Sequence, residues 1–126
     1  MYRAIITATS ITKREAILTS VISELTKGDP VLINSFAHAH ALFLRADARL
    51  DMSHANVGGA IADASLASRI APSERKVWSI LASAHEANGD IVEAIKAVRQ
   101  WGVVDPSFAT KAKKEIERLQ SKLHMN

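Results

Sequence analysis

Residues 75–108 read RKVWSILASAHEANGDIVEAIKAVRQWGVVDPSF, and they contain two helical patterns separated by a glycine. Side chains that recur at spacings of three and four residues lie on one face of a helix. In the first pattern these side chains are Trp78, Leu81, Ala82 and His85. Gly89 ends the first helix, and Asp90 with Glu93 forms a capping box for the second. The stretch therefore predicts a helical hairpin.

The N-terminal half of the chain predicts two more helices. Thr12 and Glu15 form a capping box, in which each side chain satisfies a free backbone N–H, and the helix that they start should end at Gly28. Asp29-Pro30 starts the next helix, because Asp caps free N–H groups and Pro suits the first helical position. The apolar face of this helix continues to about Leu50, where the pattern breaks.

Two further helices lie on either side of the hairpin. One should span about residues 57–70, and Ser73, after the stop at Pro72, should cap the helix that follows. Asp105-Pro106 repeats the arrangement of cap and proline, and it starts a final helix that runs to about residue 123. Every predicted element is helical and every connection is short, so successive helices should pack antiparallel. The predicted fold class is all-α.

The composition agrees with packed helices and excludes several kinds of protein. Apolar residues make up 48% of the 126-residue chain but aromatic residues only 5%, so alanine supplies much of the apolar content. The absence of cysteine excludes a disulfide scaffold and a thiolate metal site. No apolar run approaches the ~18 residues of a membrane span. We expect a cytoplasmic protein that does not insert into membranes.

A repeat of 34 residues runs through the C-terminal part of the chain. Pro72 and Pro106 are 34 positions apart (106 − 72), as are Ala60 and Ala94 (94 − 60). A helix–turn–helix unit of about 34 residues resembles the tetratricopeptide repeat (TPR) family. Within residues 75–108, the positions that match the family pattern are Trp78, Leu81, Ala82, Gly89, Asp90, Glu93-Ala94-Ile95 and Asp105-Pro106.

The resemblance implies one domain over residues 1–126, built as a short right-handed TPR-like solenoid. Residues 75–108 would form its clear repeat and residues 41–73 a degenerate repeat. Residues 1–40 would form irregular N-terminal helices, and residues 109–123 the capping helix that such arrays need at an open end.

The resemblance also implies a binding groove, because the first helices of stacked repeats line a concave surface where TPR domains bind peptides or helices. The expected groove-facing residues are Arg45, Lys76, Ser79, Ser83, Lys113 and Lys114. Their cations could bind carboxylates of a partner, or they could be ordinary solvated positions. The clamp by which some TPR domains hold acidic chaperone tails is not favoured, since Lys76 fits it but Ile80 stands where that clamp has Arg.

No residue pattern indicates catalysis, a cofactor or a metal site. The serines lack the Gly-x-Ser-x-Gly context of a nucleophile, and Gly58-Gly59 lacks the Lys and Ser/Thr of a phosphate loop. His38 and His40 would point about 200° apart on a helix, so they cannot share a metal ion. We therefore expect a non-catalytic protein–protein interaction module, such as an adaptor, a scaffold or a co-chaperone-like protein.

Two alternatives remain open. The net charge of +3 comes entirely from residues 106–126, which carry five Lys or Arg against two Glu, so the last helix could contact nucleic acid. The N-terminal half or an exposed Trp101 could instead meet another copy of the chain. Trp101 stands where the TPR family usually has Ala, so it either packs beneath the last helix or lies on the surface as a binding residue.

Overall fold

The structure is a computed structural model that describes residues 2–27, 35–51 and 56–124, with only the helical backbone for residues 2–9. Nearly all of these residues are helical, and none is in a strand, so the predicted all-α fold class is confirmed. The helices are α1 (Tyr2–Lys27), α2 (Phe36–Asp51), α3 (Val57–Ile70), α4 (Arg75–Ala87), α5 (Ile91–Val104) and α6 (Ala109–His124), and a 3-10 turn, Pro106–Phe108, precedes α6.

Each described helix packs against the next one along the chain, and α2 also contacts α4. Side-chain contacts between α2 and α3 show the relative direction of the two helices. Arg45 of α2 binds Asp63 of α3, whereas Arg49, one turn later in α2, reaches the carbonyl of Gly59, one turn earlier in α3. The residue numbers run in opposite senses, so α2 and α3 are antiparallel, as their short connection requires. The structure is therefore a stack of antiparallel helices.

Alanines form the contacts between these helices. Ala46, Ala60, Ala64 and Ala94 are fully buried, which includes the pair that the 34-residue period relates. Their small side chains let helix backbones approach closely, while larger side chains such as Val98 fill the remaining space. Two core clusters result, one joining α2 through α6 and the other joining α1 through α4.

The predicted repeat positions in α4 are on its packed face. Leu81 and Ala82 are buried, and Trp78 is half-buried. The indole Nε1 of Trp78 donates to the carbonyl of Pro72 at 2.7 Å, which attaches α4 to the turn before it.

The turn between α4 and α5 has the geometry that its sequence predicts. Gly89 has a φ of +81°, a conformation that glycine adopts without strain. Its N–H donates to the carbonyl of Glu86, and the N–H of Asp90 donates to that of His85. These two bonds close α4 as a Schellman motif. Pro106 begins a 3-10 turn before α6, at the first position as predicted, but Asp105 lacks the side-chain cap bond that the cap-then-proline pattern predicts.

The capping box predicted at Thr12 and Glu15 is wrong. Helix α1 is continuous from Tyr2, so both residues lie inside it. The Glu15 carboxylate instead accepts a hydrogen bond from Arg49 of α2. The side chain that the local pattern assigned to a helix cap therefore binds a residue of another helix.

Two other predicted caps are replaced. Ser73 does not cap α4, because Glu74 occupies the N-cap and accepts a hydrogen bond from the Lys76 N–H. Asp90 occupies the N-cap position of α5 without a side-chain cap bond, and Glu93 pairs with a lysine one turn later instead of completing a capping box.

The predicted helix boundary at Gly28 and Asp29-Pro30 lies outside the described residues. Helix α2 is described from Phe36. The hydroxyl of Ser35 accepts a hydrogen bond from the His38 N–H at 3.1 Å, which is the geometry of an N-cap.

Candidate functional site

A groove lies between α4 and α6, with α5 beneath it. Two adjoining depressions form this α4–α6 groove, and they share Ser79, Trp101, Phe108 and Lys111. Helix α4 supplies one wall and α6 the other, and both helices pack against α5. The floor comes from α5 and from the 3-10 turn that leads into α6.

Two aromatic rings form the floor of the groove. Trp101 and Phe108 are stacked, with ring centroids 3.7 Å apart and an interplanar angle of 15°. Both side chains are half-buried, so each packs on the other and also presents surface to the groove. Two alternatives were considered for Trp101, packing beneath the last helix or lying on the surface. The structure shows both features, because the indole packs on Phe108 and also lines the groove.

Gly102 makes room for this arrangement. A Cβ atom added at Gly102 would lie 3.2 Å from the Cβ of Ala112, which is tighter than an ordinary van der Waals contact. The backbone of α5 can therefore approach α6 closely at the residue after Trp101. This close approach brings the 3-10 turn and Phe108 over the indole.

One end of the groove carries uncompensated positive charge. Lys76 of α4 and Lys111 of α6 line it from opposite walls, and both are exposed. Neither lysine forms an ion pair with any described residue. Arg75 lies at the same end but is paired with Asp105 at 3.3 Å. Hydrogen bonds from the Ser107 hydroxyl and then from Arg75 lower the pKa of Asp105, so this pair stays ionised and contributes no net charge.

The other end of the groove is bridged by an ion-pair cluster. Glu86 of α4 accepts hydrogen bonds from both terminal nitrogens of Arg118 in α6, at 2.9 and 2.7 Å, and also pairs with Lys122. Arg118 pairs with Glu115 as well. The Arg118 hydrogen bond is the main cause that lowers the pKa of Glu86 from 4.5 to about 2, against the opposing effect of burial. Two cations and two carboxylates cancel here.

The structure brings together three of the six residues predicted to face a groove. Lys76, Ser79 and Ser83 all line the α4–α6 groove. Lys114 is exposed on α6 but does not line it.

Lys113 lies on another side of α6. It lines a separate depression beside Val103 and Ile116, because it is two residues from Lys111 and therefore about 200° around the helix. Ser79 and Lys113 are 34 positions apart (113 − 79), and so are the first residues of α4 and α6 (109 − 75), so the two residues hold equivalent positions. Equivalent positions on α4 and α6 point the same way and do not face each other across the groove between these helices. Lys111 was missed for this reason. Its spacing from Glu115, Arg118 and Lys122, four, seven and eleven residues on, is the sequence signal that puts it on the groove face.

Arg45 belongs to a partly buried ion-pair network and not to the α4–α6 groove. Its guanidinium donates to both carboxylate oxygens of Asp63, at 2.8 and 2.7 Å, and the hydrogen bond to Asp63 raises the pKa of Arg45 against the effect of burial. Arg49 donates to Asp63 at 3.0 Å and to Glu15 at 3.1 Å. The network joins α1, α2 and α3 with balanced charge, so Arg45 has no unpaired charge to offer a partner.

The two histidines considered as a metal pair lie in different environments. His38 is buried, whereas His40 is exposed and contacts the rings of Phe36 and Phe43. In the part of the chain that the structure describes, no group of three or more His, Cys, Asp or Glu is placed to hold a metal ion.

Comparison with known proteins found no family model that matches the chain and no significant match among curated proteins. None of the described helices is long and apolar enough to cross a membrane.

Proposed function

We propose that this chain is a non-catalytic protein-interaction module whose α4–α6 groove binds a segment of another protein. The observation that carries the proposal is the pairing of an aromatic floor, Trp101 on Phe108, with two unpaired lysines on opposite walls, Lys76 and Lys111. Partly exposed aromatic side chains are common energetic centres of protein interfaces, and charged groups at the edge of a groove give specificity and orientation.

The chemistry of the groove indicates the kind of segment that it binds. An apolar or aromatic side chain would rest on the Trp101 and Phe108 rings. A carboxylate beside it would lie between Lys76 and Lys111. The ion-pair cluster at the Glu86 end is neutral, so the partner's carboxylate is expected at the opposite end of the groove. The partner is thus a short segment that combines an apolar side chain with acidic residues.

The resemblance to the TPR family supports the same proposal, since α4 is the first helix of the clear repeat and such helices line peptide-binding grooves. Membership of that family is itself part of the proposal. The role of adaptor or scaffold follows if the bound segment belongs to another protein.

The basic last helix gives less support to nucleic-acid binding. Arg118 and Lys122 are already paired with carboxylates. Lys113 lies on the other side of the helix from Lys111. The positive charge of α6 is therefore divided among several faces, whereas nucleic-acid binding requires a continuous basic patch.

The proposal is tested by selecting binders from a library of short random peptides displayed on phage, with the full chain as bait. We expect the selected peptides to combine acidic residues with at least one large apolar residue. The double variant Lys76→Glu, Lys111→Glu should lose binding to these peptides, because both contacts with the carboxylate become repulsive.

A matched control is Lys113→Glu with Lys114→Glu, which makes the same change in net charge at exposed positions outside the groove. Circular dichroism checks that both double variants stay helical. Selected peptides without carboxylates, or an equal loss of binding in the control, would refute the proposal.

A further inference from the structure

Helix α1 has an outward face that no described residue covers. Among the described helices α1 contacts only α2, through side chains such as Leu18, Ile22 and Leu25. Ile17, which is 62% exposed, and Val21, which is 40% exposed, lie on one flank of that packed face, about 110° and 70° around the helix from its centre. Exposed apolar side chains grouped on one face favour a contact with another surface.

The charges that flank these apolar side chains are arranged symmetrically. Lys13 lies one turn before Ile17, and Glu24 lies one turn after Ser20. At 100° per residue, Lys13, Ile17, Ser20 and Glu24 fall within about 60° of one another around α1. The midpoint between Lys13 and Glu24 is also close to the midpoint between Ile17 and Val21. The face therefore carries opposite charges at equal distances from an apolar centre.

We propose that this face binds a second copy of the chain, with the two α1 helices antiparallel about a two-fold axis. Lys13 of each copy then meets Glu24 of the other. Ile17 meets Val21 and Ser20 of the other copy, and the small Ser20 side chain lets the helices approach. A parallel arrangement would oppose Lys13 with Lys13 and Glu24 with Glu24, so charge selects the antiparallel one. A two-fold axis repeats every contact, which makes this surface complementary to itself.

The side chains of this face are free to contact a second copy, because their contacts within one chain are weak. Glu24 pairs with Lys27 at 3.5 Å, but both side chains are about three-quarters exposed, and such surface pairs contribute little. Ile17 and Val21 are not among the side chains of α1 that pack in the core, so docking leaves those core contacts in place.

The proposed dimer interface is independent of the groove function. It lies on α1, whereas the groove lies between α4 and α6, so either proposal can fail without the other. Taken with the proposed groove, the dimer would present two grooves to a partner and bind bivalent partners more tightly than a single chain does.

The test is sedimentation equilibrium of the full chain over a range of concentrations. We expect the mass to rise from that of one chain toward that of two. Ile17→Glu should raise the dissociation constant by about tenfold or more, because it places a carboxylate in each of the two symmetric apolar contacts. Val92→Glu is the matched control, since Val92 is 53% exposed on α5, away from this face. A mass of one chain at all concentrations, or an equal effect of the control, would overturn the proposal.

A charge exchange tests the antiparallel pairing itself. Lys13→Glu alone opposes like charges at two places in the dimer, and so does Glu24→Lys alone, so each should weaken association. The double variant Lys13→Glu, Glu24→Lys restores opposite charges at both places and should recover most of the association. Circular dichroism checks that all three variants remain helical. A double variant as weak as the single variants would exclude this pairing.

Discussion

Asp63 is a single carboxylate that faces two guanidinium groups. It is 4% exposed and binds both Arg45 and Arg49. Removing one partner of a buried ion pair is strongly destabilising, because the remaining charge stays buried without compensation. We therefore expect the loss of Asp63 to lower the stability of the chain more than the loss of any surface ion pair among the described residues.

We expect Asp63→Ala to lower the free energy of unfolding by about 3 kcal/mol, measured by urea denaturation. Asp51→Ala is the control, because Asp51 is an exposed carboxylate on α2 and its removal should change stability by about 0.5 kcal/mol or less. Similar effects of the two substitutions would mean that the network around Asp63 does not stabilise the fold.

Glu86 makes the stability of the chain depend on pH. Its pKa is lowered from 4.5 to about 2 in the folded chain, mainly by Arg118. A carboxyl group whose folded pKa is depressed contributes stability that is fully present above its unfolded pKa and is lost as the pH falls. The contribution of Glu86 is therefore lost between about pH 4.5 and pH 2.

The measurement is thermal unfolding of the wild type and of Glu86→Gln across this pH range. The difference in midpoint temperature between the two should be large at pH 6 and should shrink as the pH falls toward about 2, because Glu86 becomes protonated in the wild type. The other carboxyl groups titrate in both proteins, so their effects cancel in the difference. A difference that stays constant with pH would show that the pairing with Arg118 does not depress this pKa.

At the scale of secondary-structure elements, the junction of α5 with α6 depends on Trp101. The ring stacks on Phe108, and Gly102 beside it allows the close approach of α6. We expect Trp101→Ala to lower the free energy of unfolding by about 2–4 kcal/mol, somewhat less than for a fully buried tryptophan, and to weaken binding of the selected peptides.

Gln100→Ala is the control for this change, because Gln100 is the exposed preceding residue in the same helix. Thermal unfolding and peptide binding are measured on both variants. If Trp101→Ala changes neither, then the indole is neither a packing residue nor part of the groove floor.

The sequence predicts elements well where local signals act alone. The bounds expected for the third helix, 57–70, are those of α3, where Asn56 caps the helix by accepting a hydrogen bond from the Gly59 N–H. The prediction fails at Glu15, because Arg49, 34 positions away in the chain, recruits its carboxylate. No local pattern contains that contact. Helix α1 begins at Tyr2, ten residues before the predicted cap at Thr12 (12 − 2).

The same limit applies to the groove. Lys76, Ser79 and Ser83 lie on one uninterrupted helix, so helical periodicity is enough to group them. The repeat period did not indicate Lys111, because it relates residues that point the same way on α4 and α6, whereas a groove between two helices is lined by faces that point toward each other. The kind of partner that the groove binds stays a prediction, because the sequence and structure of one chain do not contain the partner.

For the molecule as a whole, the order of helix contacts bears on how quickly the chain folds. Each helix packs on its neighbour along the sequence, so most contacts between helices join residues of two consecutive helices, which only a short connection separates. The loss of chain entropy on forming such contacts is small, and proteins dominated by them fold in microseconds to milliseconds. The contact between α2 and α4 and the ion pairs of Glu86 with α6 span longer separations. We therefore expect hairpins of adjacent helices to form first and the walls of the groove to come together last.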